Sequence, residues 1–346
     1  MSASFDLGPP KESPGKLFLN SQFRTSIQWP PKGTSLKGQV AVITGSTSGL
    51  GLEASRQLLA LGLGGLILAV RSVEKGEKVA SSFRVQYPEA EIRVWPLEME
   101  SYTSIQAFAR RAETELRRLD IAILNAGLQT GTFETIPSTG HERYIQVNYL
   151  STMLLAILLL PVLKAKAVGA SEKLGRLTIV SSGTARGAKL SVPPDARILS
   201  ALDDKSLPWD PVSRYAISKM LGHLFIVELA QRLSADDGVI VNLVDPGLVK
   251  GTNLQGSAPL PVAIFFYCYK ALLARSLPVG ASTYVDAVMV QGKESHGCYI
   301  TNWKISSFAA FLYTAEGEAA RKQLWKETME EFDFVDARGI LDALKK

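Results

Sequence analysis

From residue 39 onward, short runs of apolar and β-branched residues alternate with longer stretches of helical periodicity. The runs are QVAVIT (39–44), GLILAV (65–70), EIRVWPL (91–97), DIAILN (120–125), RLTIVSS (176–182), VIVNLV (239–244) and CYIT (298–301). Helical patterns fall between them at about 49–62, 73–87, 101–118, 140–168 and 212–235. These runs are mostly β-branched or apolar, which is the pattern of strands covered on both sides. Seven strands alternating with helices predict an α/β, doubly wound fold whose seven-stranded parallel sheet is flanked by helices.

Interruptions of this rhythm set the domain plan. Residues 1–35 are rich in Pro, Gly, Ser and Lys and read as an N-terminal extension with little core of its own, a flexible leader. Residues 36–346 then form a single domain. It carries an irregular insertion at 183–211, an apolar segment at 248–278 that reads as a lid, and an amphipathic helical tail at 314–346.

Composition narrows the function classes. With 46% hydrophobic residues among 346, the chain can bury a large core. Lys and Arg (38) exceed Asp and Glu (33) by a net +5, and no run of basic residues marks a nucleic-acid arm. Two cysteines, Cys268 and Cys298, and three scattered histidines predict neither a disulfide framework nor a metal site. The amino terminus has no basic start leading into an apolar run, so an intracellular, cytoplasmic setting is expected.

Two apolar stretches bear on membranes. MLLAILLLPVL (153–163) is about half a span and contains a proline, so it reads as a buried helix. LPVAIFFYCYKALLA (260–274) is interrupted by Lys270. No transmembrane span is expected, and the second stretch stays open between substrate lid, subunit interface and membrane-surface patch.

The candidate chemistry begins at TGSTSGLG (44–51), directly after the first strand and opening the first helix. A glycine-rich turn lets the backbone approach a pyrophosphate, and a helix N-terminus offers it free N–H groups and positive dipole. A second feature is SRYAISKM (213–220), where Tyr215 and Lys219 lie four apart on one helical face. A ketone gaining hydride builds charge on oxygen, so its site needs a proton donor within reach. A neighbouring ammonium would favour ionisation of a phenol, whose ordinary pKa is about 10.

Taken in order, TGSTSGLG, NAG (125–127), VSS (180–182), YAISK (215–219) and DPG (245–247) resemble the short-chain dehydrogenase/reductase family, over about residues 36–290. Within it the chain resembles the retinol-dehydrogenase-like branch and reductases of fungal secondary metabolism. The resemblance implies a Rossmann-type fold and four catalytic residues. Tyr215 would be the acid/base, Lys219 its electrostatic partner and ribose ligand, Ser182 rather than Ser181 the group positioning substrate oxygen, and Asn148 the holder of a water. It also implies cofactor contacts from Gly45, Ser46, Thr47, Gly49, Leu50 and Gly51 in the first turn. Further contacts would come from Asn125, Ala126 and Gly127, from Tyr215 and Lys219, and from Pro246, Gly247, Val249 and Thr252. Glu98 stands where the family usually has Asp beside the adenine.

Arg71 ends the second strand where an acidic residue would bond a ribose 2′-hydroxyl, so NADP(H) is expected as cofactor. Ser182 and Tyr215 are 33 residues apart, a longer interval than in many family members. The apolar residues Ile264, Phe265, Phe266, Tyr267 and Tyr269 suit a bulky hydrophobic ketone or secondary alcohol. Family members often pair through long helices, which implies a homodimer or homotetramer.

Overall fold

The computed structural model describes residues 2–167, 174–190, 192, 196–252 and 273–345. Residues Ile264 to Tyr269 of the expected lid, Lys270 and Cys268 lie outside that set.

Strands β1 (Val40–Thr44), β2 (Gly65–Val70), β3 (Glu91–Pro96), β4 (Ile121–Leu124), β5 (Gly175–Val180), β6 (Val239–Asp245), β7 (Cys298–Thr301) and β8 (Lys304–Ser306) form one sheet. Its order is β3-β2-β1-β4-β5-β6-β7-β8. The chain leaves β1 in one direction to build β2 and β3, then returns to β1's other side with β4. That reversal opens a crevice at the carboxyl ends of β1 and β4, where open α/β sheets bind ligands.

The expectation of a seven-stranded, all-parallel sheet is corrected here. β1 to β7 pair in parallel, but β8 pairs antiparallel with β7, making a mixed sheet of eight strands. Asn302 and Trp303 both have φ of 57° and turn the chain back in a two-residue hairpin, which demands left-handed backbone at both central positions. Tryptophan disfavours that conformation, so sequence gives no turn signal. Its burial holds it there, with the indole N–H donating to Ser282 Oγ at 3.2 Å and Arg275 lying over the ring. Three residues are also too few to show alternation.

Helices cover both faces. α1 (Ala3–Asp6) and α2 (Pro14–Phe23) come from the N-terminal extension; α3 (Gly49–Ala60), α4 (Val73–Gln86) and α5 (Tyr102–Glu115) follow the first three strands. α6 (Thr152–Lys166) continues a π-helical turn over Ile145–Ser151, α7 (Ile198–Asp203) lies in the insertion, and α8 (Pro211–Arg232) carries the Tyr–Lys pair. α9 (Leu277–Met289), α10 (Ala315–Glu331) and α11 (Ala337–Leu344) complete the described helices. Starts are set by capping: Ser72, Ser101 and Asp210 accept from the backbone N–H three residues on, and Pro211 occupies the first turn of α8.

Two apolar cores flank the sheet. One packs α5, α6, α8 and the tail helices; the other packs α3, α4 and α9. The continuous helical stretch Ile145–Lys166 is 22 residues long and apolar enough to cross a bilayer, twice the length read from 153–163. Its most apolar window is 89% buried in the protein, so the stretch serves as a core helix.

The tail is tied to that core by paired polar groups. Arg321 on α10 meets Glu228 on α8 at 2.6 Å, and Tyr149 shares a 2.6 Å hydrogen bond with Thr328. Glu327 accepts from the N–H groups of Ile198 and Leu199, both at 2.8 Å, and so caps α7 from outside. The insertion therefore contains an ordered helix held by the tail.

Candidate active site

The crevice at the carboxyl ends of the strands is a cleft of about 960 Å³. At its floor the turn after β1 bends tightly. Gly45 and Gly49 take φ of +65° and +56°, left-handed values that side chains resist. A Cβ at Gly51 would sit 2.6 Å from both Asn125 Nδ2 and the Gly45 carbonyl oxygen, so only glycine lets the turn pack against the end of β4. Asn125 donates to the carbonyls of Thr44 and Gly45 at 2.9 and 3.2 Å, and Ala126 N–H donates to Thr44 Oγ1 at 2.8 Å. Tyr284 on α9 donates to Asn125 Oδ1 at 3.1 Å and completes the clamp.

This turn offers what an anionic ligand needs. The side chain of Ser48 makes no cap to α3, leaving the helix's first N–H groups without a side-chain acceptor, and the buried Ser46 hydroxyl has no partner. Gly45, Thr47, Gly49 and Leu50 line the cleft, while Ser46 and Gly51 lie just beneath its surface. Arg71 is exposed at the cleft wall beside Ser72 and Lys75. Lys75 was not singled out in the sequence; its signal is the spacing RSVEK, four residues after Arg71 at the start of α4. Glu98 lines the same end, its carboxylate accepting from Glu100 N–H at 3.2 Å.

The other expected residues line the same cleft, with Thr252 beside Gly49. Pro246, Gly247, Val249 and Thr252 follow β6, with Gly247 at φ +76° and donating to Asp245 Oδ1 at 2.9 Å. Ser182 and Tyr215 face the cleft, partly exposed, and Lys219 reaches it from below. Ser181 turns inward instead, its hydroxyl 3.0 Å from His223 Nε2, so alternation along the strand end separates the two serines.

Lys219 is 8% exposed; its ammonium donates to the Val180 carbonyl at 2.9 Å and lies 5.9 Å from the centre of the Tyr215 ring. Burial pulls its pKa down to about 8. Burial also pushes Tyr215 up to about 12, against hydrogen bonding with Ser182 and together with the nearby Asp245 charge. Burial is therefore the larger influence on the phenol.

Asn148 sits in the π-helical turn, and its amide reads the backbone of Leu128 in both directions. Its Oδ1 accepts from Leu128 N–H at 2.9 Å, and its Nδ2 donates to Leu128 O at 3.0 Å and to Ser218 Oγ at 3.1 Å. Gly127 lies between: a Cβ there would come within 3.1 Å of Asn148 Oδ1 and 3.5 Å of Lys219 Nζ. Glycine leaves open the space joining the amide to the ammonium.

Sequence reading missed two groups. Asp245, 5% exposed, accepts from Tyr299 and Thr301 hydroxyls at 3.1 and 3.2 Å behind Tyr215. The other is the N-terminal helix α2, whose Pro14, Leu17, Phe18, Ser21 and Gln22 line the cleft. Nothing in its periodicity points to a site.

Comparison with known proteins shows the family. The family described as short chain dehydrogenase matches residues 39–192. Short chain dehydrogenase/reductase mfmJ of Annulohypoxylon moriforme is 49% identical over 328 residues, spanning 95% of this chain and 94% of that protein. Short chain dehydrogenase virL of Hypocrea virens is 42% identical, spanning 95% of each. The crystal structure of NADPH-dependent 3-quinuclidinone reductase from Rhodotorula rubra shares the fold, with a TM-score of 0.57 at 21% identity, covering 80% of this chain and 96% of that one. With a glycine turn at the sheet's reversal point, a Ser–Tyr–Lys cluster in the same cleft and relatives matching nearly end to end, the chain belongs to the short-chain dehydrogenase/reductase family.

Proposed function

We infer that the protein is an NADP(H)-dependent oxidoreductase that interconverts a ketone and a secondary alcohol on a bulky hydrophobic substrate. The observation that carries this reading is the Tyr215 phenol facing the cleft beside Ser182, with Lys219 buried beneath it.

The turn Gly45–Gly51 fits a dinucleotide pyrophosphate, since it brings N–H groups without a side-chain cap to the cleft, with an unpartnered hydroxyl at Ser46 buried behind them. Arg71 and Lys75 supply two cations at the end of β2 and the start of α4, which suits the extra phosphate of NADP(H). Glu98, the Asn125–Gly127 turn, Pro246, Gly247, Val249 and Thr252 line the same cleft, with Thr252 beside Gly49.

NADPH held by the Gly45–Gly51 turn with Arg71 and Lys75 would supply the hydride that the carbonyl carbon accepts. Ser182 holds the carbonyl oxygen, and Tyr215 gives that oxygen its proton as charge develops. A phenol held as high as about 12 is fully protonated at neutral pH, which suits the donor role in reduction. Lys219, pulled down to about 8, is readily able to return a proton toward Tyr215. Asn148 and the space above Gly127 provide a place for a water joining Lys219 to the outside. The balance is one ketone, one hydride and one proton giving one secondary alcohol.

Transfer is tested with 4-deuterated NADPH and a panel of bicyclic and tricyclic ketones. Deuterium on the carbinol carbon of the product is expected. Cofactor binding without labelled product from any ketone would contradict the reading and favour a protein that binds the dinucleotide without turnover.

A further inference from the structure

After β5 the chain passes Ser181, which turns inward, and then Ser182, which opens a short 3₁₀ turn over Gly183–Gly187. Ser182 is extended, with φ of −153° and ψ of 146°, and its Oγ accepts the Thr184 N–H at 3.3 Å. That contact is the usual one for a serine at the start of a turn. A second contact is not needed to make the turn: the Thr184 hydroxyl donates to the same Ser182 oxygen at 3.0 Å. Thr184 is exposed and lines the cleft with Ser182, Gly183 and Tyr215.

The backbone around this pair is fixed on both sides. A Cβ at Gly183 would come within 3.0 Å of Asp245 Oδ2, so a side chain there would have to displace either the carboxylate or the turn. Ala185, fully buried, anchors the other side, and its N–H donates to the Ser182 carbonyl at 3.1 Å. The Thr184 hydroxyl is therefore held against the serine by the fold of the turn.

These contacts decide what Ser182 can offer. A serine hydroxyl has one proton to give and two lone pairs with which to accept. Thr184 occupies both lone pairs, one through its N–H and one through its hydroxyl. What remains to Ser182 is its proton. A carbonyl oxygen only accepts, so a serine committed to donation suits it, whereas a serine free to rotate also presents a lone pair that repels it.

We propose that Thr184 is a positioning residue that fixes the Ser182 hydroxyl as a hydrogen-bond donor toward the carbonyl oxygen of the substrate. This role rests on the reductase reading above and adds a residue to it. Thr184 acts through Ser182, and its effect falls on the chemical step, where charge on that oxygen is greatest, more than on ketone binding.

The test compares wild type with Thr184→Val, which keeps the N–H and loses the hydroxyl, and Thr184→Ser, which keeps both. With NADPH and 9-fluorenone, the single-turnover rate of Thr184→Val is expected to fall about three- to tenfold, as one orienting hydrogen bond is lost, with KM little changed. Thr184→Ser is expected to stay close to wild type. Valine and serine variants that behave alike, whether at the wild-type rate or at a reduced one, overturn the proposal, since the hydroxyl would then make no difference.

Infrared spectroscopy supplies a readout free of turnover. Carbonyl-labelled carbon-13 1-tetralone, bound with NADP⁺, is expected to show a carbonyl band lowered by hydrogen bonding in wild type and Thr184→Ser, and a band moved back up in Thr184→Val. The same band position in wild type and Thr184→Val overturns the proposal. A band difference without turnover overturns the reductase reading and leaves the orientation of Ser182 by Thr184 standing.

Discussion

At the scale of single residues, the side chains proposed to select the cofactor lie apart from those that would do the chemistry. Arg71 and Lys75 sit at the exposed end of the cleft, and neither belongs to the Ser182–Tyr215–Lys219 cluster. Arg71→Asp is therefore expected to weaken NADPH binding by one to two orders of magnitude, about 1.4–3 kcal/mol, as a charge-assisted contact is replaced by repulsion. NADH binding should fall much less, and titration of each dinucleotide by fluorescence checks the difference. Much of this was legible because glycines, a Tyr–Lys spacing and an arginine at a strand end each have a local chemical reason. The pKa of Tyr215 was not legible. It depends on how deeply α8 buries the phenol and on Asp245, 30 residues later, neither of which spacing can show.

At the scale of elements, the helical tail is bound to the body by a buried charged cluster. His141, just before the π-helical turn, touches Asp203 of α7 at 2.7 Å and Glu331 of α10 at 3.2 Å. Burial disfavours the charged ring, but the two carboxylates outweigh it and raise its pKa from 6.5 to about 9. A raised folded-state pKa means the stabilisation is complete below pH 6.5 and is lost as pH climbs through about 9. His141→Gln is expected to cost on the order of 2 kcal/mol at pH 6 and little at pH 10, measured by urea unfolding at both. A mutant cost that is the same at both pH values would contradict an ionic role. The strands and most helices were read correctly from periodicity, because each buries a face of its own. Among those that escaped it are β8, three residues long behind a tryptophan in left-handed backbone, and α2, which has no buried residue.

At the scale of the whole molecule, every segment outside the sandwich of sheet and helices that is described here leans on the cleft or on its supports. The extension reaches it through α2, the insertion is capped by the tail through Glu327, and the tail packs on α8, which carries Tyr215 and Lys219. Such long-range docking leaves no periodic trace, which is why 1–35 read as a leader and the insertion as irregular. The central claim remains local: one neutral phenol completes hydride transfer. Its most direct test is single-turnover oxidation of NADPH with a bulky ketone by wild type and Tyr215→Phe, alongside NADPH affinity for each. The account predicts unchanged affinity and a loss of about 10²–10⁴-fold or more in the rate of the chemical step for the phenylalanine variant. Oxidation at an undiminished rate with that hydroxyl removed would contradict it.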